Sequence, residues 1–488
     1  MIAALVLGAW FFRVDRRARA LSGGGLRMAL LLAALAAGLW VVLGTELLSA
    51  LGALRFWPIV IWWTLPVVWL STRLLRDRAV PAFPALPRLG AWEWLLVLAT
   101  SGIVTAAGIS ALLAPPNNWD SLGYHLPRQV YWIEQGKVAH HLTYAWRELD
   151  FPPFAEFVGL HLMVLSGGDR LANLIQWSAL VLVLGAVSLI ARDLGAGRKG
   201  ELLAMLSVAT VPMAFHQASN TKNDLVVSLW ICLLALGALR LWRERRSDPL
   251  HAAALGAAAG LLLLTKGTGL ILGAPILVLA LAGLLQFGRP RRVACLALFA
   301  SIPLAVNLGH FARNMDYFGS PLGSEKSAYY NQTLSPAALA SNLLRNALLH
   351  LGSPSARWND VLLQAARRLH RAIGADIQDP RTTFLTSPFK VSYQPQNEDV
   401  AGAPVHLILA AAAAALLAAT LVLGVRAPLV WTYFPIPYAA FFLFCAALKW
   451  QPWYARLQLP VFCLLAPLLG YAGSIVRPLG AVAALAAL

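Results

Sequence analysis

The sequence has little charge for its length. Only 12% of its 488 residues are Asp, Glu, Lys or Arg, whereas a soluble chain carries about 25%. Hydrophobic residues make up 59% and fall in repeated long apolar runs. Scarce charge combined with such runs is typical of an α-helical protein that crosses a membrane many times, and it excludes a soluble globular domain.

Cysteine and the common catalytic motifs are also scarce. Four cysteines lie singly in apolar runs, at Cys232, Cys295, Cys445 and Cys463. Without paired spacing they indicate neither a disulfide framework nor a zinc site. A Walker loop, a His-Glu-x-x-His zinc motif and a Gly-x-Ser-x-Gly nucleophile motif are missing from the sequence. We therefore expect no nucleotide cofactor and assign no metal ligands, while a divalent cation stays open.

The net charge of +17 does not require a nucleic-acid partner, because short cytoplasmic loops of membrane proteins collect Lys and Arg. Alternate connections between the apolar runs hold most of these residues: Arg13, Arg16, Arg17, Arg19 and Arg27; Arg73, Arg76, Arg78 and Arg88; Arg192, Arg198 and Lys199; Arg240, Arg243, Arg245 and Arg246; Arg289, Arg291 and Arg292. We predict that these connections face the cytoplasm.

Apolar runs suited to spanning helices lie near residues 28–50, 56–72, 92–113, 171–191, 201–216, 224–242, 251–264, 270–287, 293–312, 405–424, 429–448 and 457–475, with short candidates at 1–12 and 479–488. The predicted fold class is an all-α polytopic bundle of about 12 spans. Its expected divisions are N-terminal helices 1–91, a core 92–312 with a first outer loop 114–168, an extracytoplasmic region 313–403 and C-terminal helices 404–488.

On this assignment five polar segments share the outer membrane face: 113–168, 220–223, 265–269, 313–403 and 449–456. Two of them are far longer than connectors need to be, and such loops are usually functional or disordered. The longer one has an amphipathic pattern over 360–373 that predicts a helix with Val361, Leu362, Ala365, Leu369 and Ile373 on one face.

Asp120 follows directly on a spanning run, so its carboxylate is expected at the membrane surface. Such a carboxylate is a candidate general base for an acceptor hydroxyl, or a ligand for a divalent cation. The alternative is that Asp120 caps a helix beginning at Ser121.

Asp150 is the second candidate catalytic carboxylate, in the same outer loop. It precedes Pro152-Pro153 and a predicted short helix, 154–165, that carries Glu156 and His161. Asp150 could share acid–base work with Asp120 or bracket a metal, and it could equally be the cap of that helix.

Three cations lie in separate outer segments: Lys222, Lys266 and Arg456. Cations at this depth fit an anionic lipid headgroup, and the alternative is ordinary interfacial anchoring among aromatic side chains such as Tyr454. Asn223 and Asp224 adjoin Lys222 and are candidates for a sugar hydroxyl, although Asp224 could simply cap the next helix.

Several of these residues stand in blocks of a known pattern. The blocks are Asn118-Trp119-Asp120-Ser121-x-x-Tyr124-His125-Leu126-Pro127-Arg128, Asp169-Arg170-x-x-Asn173-x-x-Gln176-Trp177, Ala218-Ser219-Asn220-Thr221-Lys222-Asn223-Asp224 and Asn397-Glu398-Asp399-Val400-Ala401-Gly402. Over about residues 90–475 the chain resembles the GT-C superfamily of integral membrane glycosyltransferases, in the bacterial branch related to protein O-mannosyltransferases and aminoarabinose transferases.

That resemblance implies transfer of a sugar from a polyprenyl-phosphate donor to an extracytoplasmic acceptor, with Asp120 as the candidate base. It also makes Tyr124, His125, Arg128, Glu398 and Asp399 candidate substrate-binding residues. The run from Tyr454 to Pro460 is similar to a segment with an Arg-Tyr-x-x-Pro pattern in several members, although here Arg456 follows the tyrosine. The Asp-Glu pair of the mannosyltransferases is absent, because Ser121 follows Asp120.

The sequence thus predicts an inverting membrane glycosyltransferase in the bacterial cytoplasmic membrane, with its active site facing outside. Its expected partners are the polyprenyl-phosphate sugar, a lipid, glycan or protein acceptor, and the bilayer. A transporter or flippase of lipid-linked sugars is the first alternative, and an O-antigen polymerase or ligase is the second.

Overall fold

The computed structural model describes residues 1–15, 25–78, 88–244, 248–325, 327–384, 387–424 and 426–475. The described part of the chain contains no strand, only two isolated β-bridges that join Tyr330 to Leu448 and Thr383 to Trp450. The predicted all-α class is therefore confirmed.

The α-helices are α1 (Ile2–Val14), α2 (Leu26–Ala50), α3 (Phe56–Arg76), α4 (Ala91–Leu113), α5 (Leu126–Gln135), α6 (Arg147–Asp150), α7 (Phe154–Ser166), α8 (Leu174–Leu194), α9 (Arg198–Ala209), α10 (Pro212–Ala218), α11 (Asp224–Glu244), α12 (Pro249–Thr265), α13 (Gly267–Leu285), α14 (Arg289–Phe318), α15 (Pro336–Leu348), α16 (Ala356–Ala372), α17 (Pro404–Val422), α18 (Pro428–Tyr433), α19 (Pro435–Ala447), α20 (Tyr454–Leu457) and α21 (Leu459–Ile475). A π-helical turn, Ser121–His125, precedes α5.

Within the described ranges, nine helices are long and apolar enough to cross a membrane: α2, α3, α4, α8, α11, α13, α14, α17 and the joined pair α18–α19. Helices α1, α7, α12 and α21 are apolar but shorter. The protein is accordingly a multi-pass membrane protein.

Most predicted spans coincide with one helix, and their ends differ by a few residues. The span predicted at 201–216 is wrong as a continuous helix, because α9 ends at Ala209 and α10 begins at Pro212. Proline lacks the N–H that a helix interior needs and disfavours helical geometry at the preceding residue, and Val211 is indeed extended (φ −62°, ψ 120°).

Some sequence predictions lie outside the described residues. They are the short C-terminal span at 479–488 and the arginines Arg16, Arg17, Arg19, Arg245 and Arg246.

Helix α11 forms the centre of the bundle, and 89% of its most apolar 18-residue window is buried. It packs against α8, α12, α13 and α21. A helix that is apolar on every side can be surrounded by other helices or by lipid, and here neighbouring helices cover most of it. Because α11 begins at Asp224 and carries Arg240 and Arg243 near its other end, it connects the two polar ends of the bundle.

The region after α14 folds onto the connection between α19 and α21. The side chain of Arg345 on α15 is fully buried and donates hydrogen bonds to the hydroxyls of Thr382 (2.8 Å) and Thr383 (2.7 Å). The bridge from Thr383 to Trp450 then ties this region to the segment that leads to Arg456. The region between α14 and α17 therefore positions part of the candidate site.

The predicted amphipathic helix at 360–373 is present as α16. Its buried residues are Ala366 and His370, whereas the side chains of Val361 and Leu369 are 53% and 50% exposed. The apolar pattern therefore predicted the helix correctly. The fully buried residues of α16, however, are Ala366 and His370, and not the residues of the predicted apolar face.

Candidate active site

The five predicted outer segments meet at one end of the bundle, where each contributes a charged side chain to one ion network. We call this end the site end. Arg456 lies at its centre: Nη2 is 2.6 Å from Asp120 Oδ2, and Nη1 is 2.7 Å from Asp399 Oδ1. Its Nε lies 4.0 Å from Asp224 Oδ2. One guanidinium thus joins carboxylates from the segment after α4, the start of α11 and the segment before α17.

Lys222 extends the network. Its Nζ donates to Glu398 Oε1 at 3.0 Å and to Asp399 Oδ1 at 2.7 Å, and its side chain is 1% exposed. The turn that carries Lys222 is fixed by Asn220, whose Oδ1 accepts from the Lys222 backbone N–H at 2.9 Å and from Gln176 Nε2 at 3.1 Å. The lysine is therefore positioned by α8 as well as by its own turn.

Lys266 stands in the short break between α12 and α13, and its Nζ donates to Asp224 Oδ1 at 2.6 Å. Asp224 is the first residue of α11, where the helix dipole stabilises a negative charge. The neighbouring Asn223 donates from Nδ2 to the Thr265 carbonyl at 3.0 Å. These contacts hold the start of α11 against the α12–α13 connection.

The network contains three cations and four carboxylates among the described residues: Lys222, Lys266 and Arg456 with Asp120, Asp224, Glu398 and Asp399. The carboxylates differ in exposure. Side chains of Glu398 and Asp399 are 28% and 35% exposed, whereas that of Asp224 is 1% exposed. The Glu398–Asp399 pair therefore covers Lys222 and Arg456 from the open side.

The electrostatics of the site keep Asp120 ionised. Burial raises the pKa of the Asp120 carboxyl, but Arg456, Lys222 and His125 lower that pKa more, so it lies well below its usual range. Burial also lowers the pKa of Arg456, which Asp120, Asp224 and Asp399 raise above its ordinary value. Asp120 and Arg456 therefore remain oppositely charged near neutral pH.

The turn that holds Asp120 is fixed without the help of its carboxylate. Its side chain makes no capping hydrogen bond to the π-helical turn that follows. Instead Asn118 Oδ1 accepts from the Ser121 N–H at 2.8 Å, and the Thr221 hydroxyl donates to the Ser121 hydroxyl. Trp119 next to Asp120 is 84% exposed. The side chain of Asn118, and not that of Asp120, therefore accepts the hydrogen bond from the first N–H of this turn.

The candidate residues Tyr124, His125 and Arg128 lie behind Asp120, all buried. His125 Nδ1 is 2.6 Å from Glu156 Oε1, and Arg128 Nη2 is 3.0 Å from Glu156 Oε2. Arg128 also donates to the Phe151 carbonyl at 2.9 Å. Sequence reasoning named Glu156 but did not select it. The spacing of His125 and Arg128 could have indicated such a partner, because two residues three positions apart lie on the same face of a helix and can contact one carboxylate.

The structure places the remaining two candidates away from Arg456's direct contacts. Asp150 is fully buried and accepts a hydrogen bond from the Ser324 hydroxyl at 2.7 Å. Tyr454 is buried, and its hydroxyl accepts from Gln451 Nε2 at 2.9 Å. Both side chains are therefore held by other protein groups, outside the described ion pairs of the network.

Removing Lys266 tests how much the buried pair stabilises the fold. Lys266→Met is expected to lower stability by about 3–5 kcal/mol, because it leaves Asp224 buried beside fewer cations. The double variant Lys266→Met/Asp224→Asn is expected to recover most of that loss. Thermal unfolding in detergent measures both, and equal losses in the two variants would contradict the pairing.

The described residues offer no group of three or more His, Cys, Asp and Glu side chains placed to hold a metal ion. Cations already separate the carboxylates of the network. As built, the site holds an ionised carboxylate at Asp120 beside two cations, Arg456 and Lys222, and both cations contact Asp399.

Comparisons with known proteins leave the family open. No family model matches the sequence, and no curated protein matches it. Among solved structures, the chain is similar to that reported as the crystal structure of ArnT from Cupriavidus metallidurans bound to undecaprenyl phosphate. The two are 17% identical, the match covers 80% of this chain and 79% of that chain, and the TM-score is 0.41.

Proposed function

We propose that this protein is a membrane glycosyltransferase that moves a sugar from a polyprenyl-phosphate donor to an acceptor outside the bacterial cytoplasmic membrane. The observation that carries the proposal is the meeting of Asp120 with Arg456 and Lys222, from three distant segments, at one end of a bundle of apolar helices. A base and an anion-binding group side by side are what transfer from a phosphate-linked sugar needs.

The proposed reaction gives each of these groups one role. Asp120 takes the proton of the acceptor hydroxyl, and the acceptor oxygen attacks the anomeric carbon of the sugar. The bond from that carbon to the phosphate oxygen breaks, and the polyprenyl phosphate leaves with the electron pair. Direct displacement inverts the anomeric centre. Arg456 and Lys222 stabilise the charge that develops on the leaving phosphate, because cations aimed at that oxygen favour the transition state. The exposed ring of Trp119 offers a face on which the sugar stacks.

The donor phosphate must replace an anion that the protein already supplies. Glu398 and Asp399 are the most exposed carboxylates of the network and contact the two cations that the phosphate needs. In our proposal the phosphate displaces this pair. Arg456 then turns from Asp120 toward the phosphate, which raises the pKa of Asp120 and makes it a better base at the moment when the acceptor is present.

Two rival functions use the same class of substrate. A transporter or flippase of lipid-linked sugars would carry binding residues near the membrane midplane on broken helices, whereas this network lies at helix ends, with Asp224 starting α11 and Lys266 between α12 and α13. An O-antigen polymerase or ligase remains the other rival.

Cells that carry wild-type protein are to be compared with cells that carry Asp120→Asn, with mass spectrometry of polyprenyl-phosphate sugars and envelope glycans. We expect one monosaccharide donor to accumulate in the variant and its sugar to disappear from one glycan, because the base is missing. This result would also identify the sugar. Accumulation of a lipid-linked oligosaccharide shielded from outer-face enzymes would support the transporter instead, and unchanged lipids and glycans would remove Asp120 from the mechanism.

A further inference from the structure

A second polar cluster lies at the opposite end of the bundle, which we call the arginine end. It surrounds a cleft of about 180 Å³ between α2, α11 and α12, with Arg192 of α8 at its edge. A water molecule occupies about 30 Å³ in the liquid, so the cleft is large enough for a phosphate group and the first part of a hydrocarbon chain. The proposed transfer reaction uses none of these residues.

The cleft changes from polar to apolar along its length. Arg240 and Arg243 line the end nearest the helix termini, and Leu233 lies deeper on the same helix. On α2 the wall runs from Met28 to Leu35, which spans about 10 Å at 1.5 Å per helical residue. The cationic end of the cleft suits a lipid headgroup, and its apolar interior suits the start of an acyl chain. A free ion would need only the cationic end.

The cations of the cleft are not fully neutralised. Asp193 Oδ2 is 2.7 Å from Arg240 Nε, and its Oδ1 is 2.6 Å from Arg243 Nη1. Arg243 also donates to Glu244 Oε1 at 2.8 Å. Arg192 reaches Asp193 only at 3.9 Å, and its side chain is 42% exposed. Arg27 and Glu201, which pair with each other at 2.5 Å, also act electrostatically on Arg192. Four arginines thus face three carboxylates, and Arg192 has donors to spare for an anion.

We infer that this cleft binds the phosphate of an anionic phospholipid from the membrane leaflet opposite the site end, with the start of one acyl chain between α2, α11 and α12. Basic pockets between spanning helices are suited to anionic headgroups, and the guanidinium of Arg192 matches a phosphate through two parallel donors. His251 lines the cleft and its Nε2 contacts the Gly237 carbonyl at 3.1 Å, so the ring belongs to the wall.

The test is native mass spectrometry of the purified, delipidated full-length protein titrated with phosphatidylglycerol or phosphatidylcholine. Wild type should bind phosphatidylglycerol more tightly than phosphatidylcholine. Arg192→Gln should weaken phosphatidylglycerol binding about fivefold, because one arginine near an anionic headgroup contributes about 1 kcal/mol. Arg73→Gln is the matched control, an exposed arginine on α3 outside the cleft.

A second variant tests the apolar part independently of charge. Ala254 lines the cleft on α12, and Ala254→Phe should fill it and reduce phosphatidylglycerol binding while all arginines remain. Equal affinity for the two lipids, or unchanged binding in both Arg192→Gln and Ala254→Phe, would overturn the inference. Displacement of phosphatidylglycerol by inorganic phosphate at similar concentration would identify a free-anion site and would overturn the lipid assignment as well.

Discussion

Asp120→Asn is expected to slow sugar transfer by about 10²–10⁴-fold, which is the usual contribution of a general base. Asparagine keeps the size of the side chain and an oxygen that accepts from Arg456, which now lies 2.6 Å from the carboxylate. Donor affinity should therefore not fall, and it can rise, because the substitution removes a carboxylate that competes with the phosphate for Arg456. Single-turnover transfer by the purified protein, together with the donor dissociation constant, separates a lost base from a lost binding group.

The matched control is Asp360→Asn, the same substitution at an exposed carboxylate on α16. It should transfer at the wild-type rate. A variant Asp120→Asn that keeps its rate, or that loses donor binding to the same extent as rate, would contradict the role of base.

The pH dependence of the same reaction follows from the lowered pKa of Asp120. Its causes are the cations Arg456, Lys222 and His125, which outweigh the opposing effect of burial. The carboxylate of the free protein is therefore ionised above the ordinary Asp value of about 3.9 and is protonated only as the pH falls further. Any stability that it contributes is present above that pH and is lost as the pH falls through the lowered pKa.

As the pH is lowered, we expect kcat to decline at a higher pH than kcat/KM. Donor binding draws Arg456 away from Asp120, so the pKa of Asp120 is higher in the donor complex, which kcat reports, than in the free protein, which kcat/KM reports.

Arg456→Gln is expected to weaken binding of polyprenyl phosphate by about 30- to 4,000-fold. Truncating one partner of a buried charged pair costs about 2–5 kcal/mol, and each 1.4 kcal/mol is about tenfold. The change also leaves Asp120, Asp224 and Asp399 without the cation that they share. Isothermal titration with polyprenyl phosphate measures the affinity, and thermal unfolding shows whether the variant is still folded.

Two companion variants make this result specific. Arg456→Lys keeps the charge but loses the planar fork, so its affinity should be intermediate. Asp399→Asn should bind polyprenyl phosphate more tightly than wild type, because it removes the anion that competes for Arg456 and Lys222. Weaker binding in Asp399→Asn would mean that the pair supports the site rather than covering it.

The proposed lipid cleft at the arginine end can be tested separately from the site end. Arg192 and the site end lie at opposite termini of α8, so loss of lipid binding in Arg192→Gln can be measured without touching Asp120 or Arg456. If Arg192→Gln loses lipid binding but still transfers the sugar, lipid binding is not required for catalysis. Each of the two proposals can then be tested without the other.

The sequence by itself determined the membrane-spanning class and most helix positions. Apolar runs of the right length can satisfy their backbone hydrogen bonds in a bilayer only as helices, so α2, α4 and α17 were found where hydropathy placed them. The exception at 201–216 arose because hydropathy does not detect a proline break, although Pro212 was visible in the sequence.

The sequence also indicated which segments would share one end of the bundle. Alternation of arginine-rich and arginine-poor connections is a local property of the chain, and it placed Asp120, Lys222, Lys266 and Arg456 on one side. All four lie in the observed ion network.

Only the tertiary structure decided which charges pair. Arg456 and Asp120, which are in contact, lie more than 300 positions apart in the sequence. The ion pairs of Glu156 with His125 and Arg128 depend on how α7 packs beside α5. Pairing depends on distances of a few ångströms and on burial, and neither is encoded in any local pattern. The sequence therefore determined which charged groups face the same side, and packing decided that they form one buried network.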